Sequence, residues 1–173
     1  MNKRKVILGC IAAVFLFLLG GSVFLLKQKH DFKQSIADIP EFCLQQVVDS
    51  LLFCNTQLVK DNPVILMYFH PECDFCQTEA IQIQQNAGNT GDIQWVLVSY
   101  AEKDSLQKFM EVHQLVDVPN LVMLMDSQFI LYNHLWVKSI PTSYVYDRQH
   151  RLVKIIHGIE RFENLLWLAN YNL

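Results

Sequence analysis

Several things missing from this chain narrow what it can be. It has no excess of positive charge: 14 Lys and Arg stand against 17 Asp and Glu, for a formal net charge of −3. A mildly acidic chain carries no electrostatic footprint for nucleic acid. No internal repeat, low-complexity tract or second linker breaks its 173 residues, which leaves room for one ordinary domain. There is no second close pair of cysteines and no suitably spaced pair of histidines, so a structural zinc site with four protein ligands is hard to assemble. Charge itself is absent from Val6 to Leu26.

A charge-free apolar run of that length can cross a bilayer core of ~30 Å. It continues through Val23-Phe24-Leu25-Leu26 into Lys27 without a small-x-small cleavage site. The apolar part of a cleavable signal is shorter, ~7–15 residues. The expectation is therefore a retained membrane anchor. Ile7-Leu8-Gly9-Cys10 looks like a lipoprotein cleavage box, but no apolar stretch precedes it, and Cys10 reads as a residue inside the helix. Lys3, Arg4 and Lys5 precede the run while Lys27, Lys29 and Lys33 follow it, so the positive-inside rule gives little contrast. The short leading tail reads as cytoplasmic. That places the remainder on the extracytoplasmic or periplasmic side of the inner (cytoplasmic) membrane. The chain then divides into tail and anchor (1–26), tether (27–39) and folded domain (40–173).

Cys73-Asp74-Phe75-Cys76 carries the chemistry. It follows the apolar run Val64–Phe69 by one short turn and opens a segment of helical character. A cysteine at a helix start meets unpaired backbone N–H groups and the positive end of the helix dipole, which favour the thiolate. The thiolate is the form that attacks a disulfide. Glu72 and Asp74 flank Cys73, and negative neighbours act the other way.

Around the motif, buried strands are expected at Val64–Phe69 and Ile93–Tyr100, with helices at about Asp74–Asn86 and Asp104–His113. Val118–Met125 is apolar apart from Pro119 and Asn120. A short helix follows near Ser127–Trp136. Ser143–Tyr146 and Leu152–His157 read as a hairpin closed by Asp147-Arg148-Gln149-His150, and Phe162, Leu165, Leu166 and Ala169 as an amphipathic last helix. Trp95, Tyr144, Tyr146 and Trp167 are expected in the core. From Glu41 to Lys60 the pattern fits a strand (Phe42, Leu44) and a helix (Leu44, Val48, Leu52) equally. As two antiparallel strands, the segment would let Cys43 and Cys54 bond. As one helix it would hold them ~16 Å apart, two small buried hydrophobes.

Strands alternating with helices, then a hairpin and a final helix, describe an α/β three-layer sandwich on a mixed central sheet. With Pro63–Cys76, Ile140-Pro141-Thr142, the Asp147 turn and Gly158 in place, the chain resembles the thioredoxin superfamily. Within it, the chain is similar to the membrane-anchored TlpA/ResA-like thiol–disulfide oxidoreductases. The resemblance implies that Cys73 attacks and Cys76 resolves. It also implies that Pro141 is cis beside the pair, with Ile140 and Pro141 presenting backbone to substrate. Protein thiols and disulfides would be the partners, most simply in the reducing direction with a membrane electron donor, and no cofactor is implied. His70 and Glu72 are candidate assisting residues, although a histidine two residues past a buried strand also suits a purely structural hydrogen bond. The chain departs from thioredoxins at Met67, where they carry a buried Asp, and at Asp74-Phe75, where they carry Gly-Pro.

Of two rival readings, one uses the same thiols differently and the other leaves them incidental. Cu(I) delivery suits soft thiolates, but the copper-carrying relatives resemble CxxxC with a distal histidine. A redox-inactive peptide-binding module would leave an intact CxxC without a purpose.

Overall fold

Five consecutive apolar residues with no polar break, Val64–Tyr68, can only be buried on both faces of a sheet, and they form its centre. The computed structural model describes the backbone of residues 3–170 and the side chains of 15–170. It divides into two units, Met1–Ala37 and Asp38–Leu173.

The first unit is one helix, α1 (Lys3–Ser35). The charge-free run starts inside the stretch whose side chains are not described. Cys10 and the leading basic residues lie outside the described side chains altogether. Among the described residues, no helix is long and apolar enough to cross a membrane.

The second unit carries seven strands: β1 (Cys43–Gln46), β2 (Leu52–Cys54), β3 (Val64–Tyr68), β4 (Gln94–Ser99), β5 (Leu121–Met125), β6 (Thr142–Tyr146) and β7 (Leu152–His157). They form one mixed sheet in the order β2-β1-β5-β4-β3-β6-β7. The strands β3, β4 and β5 are parallel, while β6, β7, β1 and β2 join antiparallel. One face is covered by α2 (Asp74–Gln85), α3 (Lys103–Val112) and α5 (Phe162–Ala169), whose apolar stripes meet Ile65, Met67, Phe69, Trp95 and Leu97. The short α4 (Ile130–His134) serves the other face, where Tyr132 packs on Tyr68. This is the thioredoxin-like α/β sandwich on a mixed sheet.

The ambiguous segment resolves as strands. Ser50 adopts a positive φ of 62° at the turn, and the Asp49 carboxylate accepts the Leu51 N–H at 3.0 Å. Such local side-chain bonds favour a turn over a helix. The resulting hairpin sets Cys43 opposite Cys54, and the two form a disulfide.

One expectation fails. Trp95, Tyr144 and Tyr146 are buried, but Trp167 is 57% exposed. α5 turns Phe162, Leu165 and Ala169 inward, a stripe at helical spacing that leaves residue 167 on the outer side.

The disulfide closes a short loop, with its cysteines 11 residues apart in sequence. Replacing both by alanine is expected to lower unfolding free energy by roughly 3 kcal/mol, read from urea melts of oxidised protein and the Cys43→Ala/Cys54→Ala variant. Equal midpoints would remove the hairpin staple from the stability of the fold.

Candidate functional site: a thiol pair at the head of α2

The site begins where β3 runs out. Phe69 still donates its N–H to Val98 at 3.0 Å, so the chain leaves the sheet only at His70. A tight turn follows, with the Cys73 N–H bonded to the His70 carbonyl at 3.1 Å. Cys73 is the N-cap of α2, in extended conformation (φ −87°, ψ 115°). Its carbonyl accepts the Gln77 N–H at 3.0 Å, while its side chain sits where the helix leaves N–H groups unpaired. Gln77 reaches back through Nε2 to the Pro71 carbonyl at 2.9 Å, which ties the turn to the helix.

Cys73 and Cys76 are both free thiols, the first half-buried and the second buried. Burial is the main reason the Cys76 thiol is pushed far above its ordinary value. Its hydrogen bond with Cys73 and the Glu79 charge add to this, and a backbone hydrogen bond from His70 offsets it in part. Cys76 therefore rests as a neutral thiol, shielded by the core, while Cys73 stands at the rim.

The Ile140–Pro141 peptide is cis. The Cys73 thiol donates to the Ile140 carbonyl at 3.8 Å, so this loop lies directly against the reachable sulfur. The loop is tied down at both ends. Thr142 Oγ1 donates to the Ser139 carbonyl at 2.7 Å. Gly158, at φ +86°, turns the chain after β7 so that its N–H meets the Pro141 carbonyl at 2.8 Å. A positive φ of this kind suits glycine because a side chain would clash with its own backbone.

Of the candidate assisting residues, His70 accepts the Glu72 N–H through Nδ1 at 3.3 Å and packs its ring on Tyr100 at 5.1 Å. Those contacts hold the turn. Glu72 and Asp74 are exposed, and among the described residues neither enters an ion pair. Met67 is buried where thioredoxins have their acid.

A buried acid stands elsewhere, on α2. Glu79 is 1% exposed and accepts the Glu160 N–H through Oε1 at 2.8 Å. Burial raises its carboxyl from 4.5 to about 7; that backbone bond lowers it and the Glu160 charge raises it further. Sequence reasoning missed Glu79, although the signal was present. Cys76, Glu79, Ala80 and Ile83 fall at i, i+3, i+4 and i+7, so the acid lies inside the apolar stripe of α2. Among the described residues, no group of three or more His, Cys, Asp or Glu side chains converges as a metal site would require.

A thiol pair at the head of a helix, one sulfur reachable and one buried, beside a cis-proline loop on this sheet, defines a thioredoxin-fold thiol–disulfide oxidoreductase. Residues 37–155 match the AhpC/TSA family, and the chain belongs to that family. No curated protein matches it in sequence. Among solved structures it is similar to a secreted Mycobacterium tuberculosis disulfide oxidoreductase homologous to E. coli DsbE. That match has 18% identity and a TM-score of 0.63, covering 79% of this chain and 97% of that one. StoA from Bacillus subtilis matches at 18% identity with a TM-score of 0.61, covering 78% and 99%. Peroxidoxin BcpB from M. tuberculosis matches at 18% identity with a TM-score of 0.65, covering 76% and 93%. At these identities the structures report the shared fold.

Glu79 gives the domain a pH-dependent stability of definite sign. Between pH 4.5 and about 7 the folded carboxyl keeps a proton that the unfolded one has lost, so stability falls as pH rises through that window. Glu79→Gln is expected to remove the fall. Relative to wild type, the variant should gain about 3 kcal/mol between pH 4 and pH 8, measured by urea unfolding. Parallel pH profiles would show that the acid is not held neutral.

Proposed function

We propose that this protein is a membrane-tethered enzyme that reduces disulfides in extracytoplasmic polypeptides. The observation that carries the reading is the division of labour between the sulfurs: Cys73 open at the helix head, Cys76 neutral and enclosed. In the proposed cycle the Cys73 thiolate attacks one sulfur of the substrate disulfide and the other leaves as a thiolate. Cys76 then attacks Cys73, breaks the mixed disulfide and releases the second substrate thiol. The substrate gains two electrons and the enzyme ends with a Cys73–Cys76 disulfide. A membrane electron donor of dithiol type restores it.

For Cys76 to resolve the mixed disulfide it must lose a proton in a buried place. Glu79, with a carboxyl near neutrality, is the acceptor that α2 provides. Ile140 and Pro141 present backbone to the substrate chain, and Cys73, Cys76 and Pro141 form the catalytic set. Reduction is favoured over oxidation because a strong oxidant needs a stabilised reduced form, and Cys-Asp-Phe-Cys contains no histidine or other cation to stabilise it. The uncharged run Val6–Leu26 supports the anchor, and the Cys43–Cys54 disulfide suits an oxidising compartment.

Three outcomes are expected. In intact cells carrying the full chain, a membrane-impermeant maleimide should label Cys73 first. Cys76→Ser should accumulate mixed disulfides with polypeptides that Cys73→Ser does not form. Protection of Cys73 until the cells are lysed would place the domain inside, and preferential labelling of Cys76 would reverse the two roles. Equilibration of the protein against glutathione should give a potential near the about −270 mV of thioredoxin. A value near the about −120 mV of a strong dithiol oxidant would reverse the direction of catalysis.

A further inference from the structure

On the face opposite α2, the carboxyl ends of β3, β4 and β5 bring together a set of rings that the exchange chemistry does not use. Tyr100, just past β4, packs against His70 at 5.1 Å and against Phe129 at 5.2 Å with planes 28° apart. His70 lies three residues before Cys73, so the rings run continuously from the thiol turn outward. They are not simply core. Phe129 is 42% exposed and Tyr100 37%.

Phe129 is also held there at a cost. Its φ is +56°, a left-handed conformation in which Asn or Gly would sit more easily than an aromatic residue. The device that enforces it is the buried Asp126. One carboxylate oxygen accepts the Ile130 N–H at 2.7 Å. The other accepts the Tyr132 N–H at 2.9 Å and the Tyr68 hydroxyl at 3.0 Å. The Asp126 carbonyl takes the Phe129 N–H at 3.0 Å. A buried carboxyl bonded through both oxygens in this way fixes one loop shape, and that shape keeps the Phe129 ring at the surface.

We propose that His70, Tyr100 and Phe129 form a shelf that receives an aromatic or large apolar side chain of an extended substrate polypeptide. Its cysteine lies at Cys73, and a basic residue near that cysteine meets Glu72 and Asp74. The inference rests on the thiol-exchange reading above and names the substrate class. Continuity with the thiol turn argues for a substrate rather than a separate partner. The exposed acids, without ion-pair partners among the described residues, set the charge it should carry. Rigid aromatic anchors of this kind dominate polypeptide recognition.

The test uses the full chain purified in detergent and three short peptides, each carrying one cysteine as a mixed disulfide with thionitrobenzoate, whose release is read by absorbance. They place Phe and Lys, Ala and Lys, or Phe and Glu around the cysteine. Wild type should favour the Phe–Lys peptide over Ala–Lys by about tenfold. Its preference for Lys over Glu should shrink as salt is raised. In Tyr100→Ala and Phe129→Gly the aromatic preference should collapse towards one. The glycine variant removes the ring while relieving the positive φ, so loss of folding does not explain its effect. Equal wild-type rates on the Phe and Ala peptides, or a preference that survives both substitutions, would overturn the shelf and leave thiol exchange standing. No reaction with any of the three disulfides would overturn the exchange reading together with it.

Discussion

Cys76 has to be packed into the core while its partner stays at the surface, and much of the domain follows from that requirement. Two thiols separated by two residues at a helix head are equivalent in sequence. They become different only because α2 lies flat on the sheet with Cys76, Ala80 and Ile83 turned inward. The helix in turn is held by the central strand β3, buried along its whole length and paired on both sides. The same burial that makes one sulfur neutral excludes water from it. A buried acid on the same stripe, raised to about 7, is the group proposed above to take its proton.

The loop opposite the helix meets a complementary demand. It approaches Cys73 with backbone rather than with a side chain, since Ile140 offers its carbonyl to the sulfur. Gly158 and Thr142 fix that approach from the neighbouring strands. On the proposed reading, an extended polypeptide lies along the loop without displacing it.

Much of this is legible in the residues because the elements around the site have strong periods. β3 and β4 read as unbroken apolar runs, and α3 and α5 show their stripes. The CxxC and Ile140-Pro141 stand out from residue order alone. What escapes does so for identifiable reasons. The segment 41–60 mixes periods 2 and 3.6, and a turn at Asp49 and Ser50 decides between them through a side-chain hydrogen bond. Residue type alone puts Trp167 in the core, whereas the position of the stripe on α5 puts it outside. Glu79 draws no notice because an acid on a helix is usually solvated. The stripe of α2 marks it for burial, while the Glu160 N–H that it accepts comes from 81 residues away in sequence and shows in no local pattern.

The hairpin staple has a consequence for how the molecule coexists with its own chemistry. A protein that exchanges thiols for disulfides while carrying a structural disulfide must not consume it. β1 stands three strands from β3 in the sheet, a lateral offset of about 14 Å at ordinary strand spacing. With that offset built into the strand order, the Cys73 sulfur does not meet the bond in its own chain. Self-inactivation is left as an encounter between two molecules, and its rate falls with dilution. The width of the sheet thus acts as an insulator between a permanent bond and a reactive one.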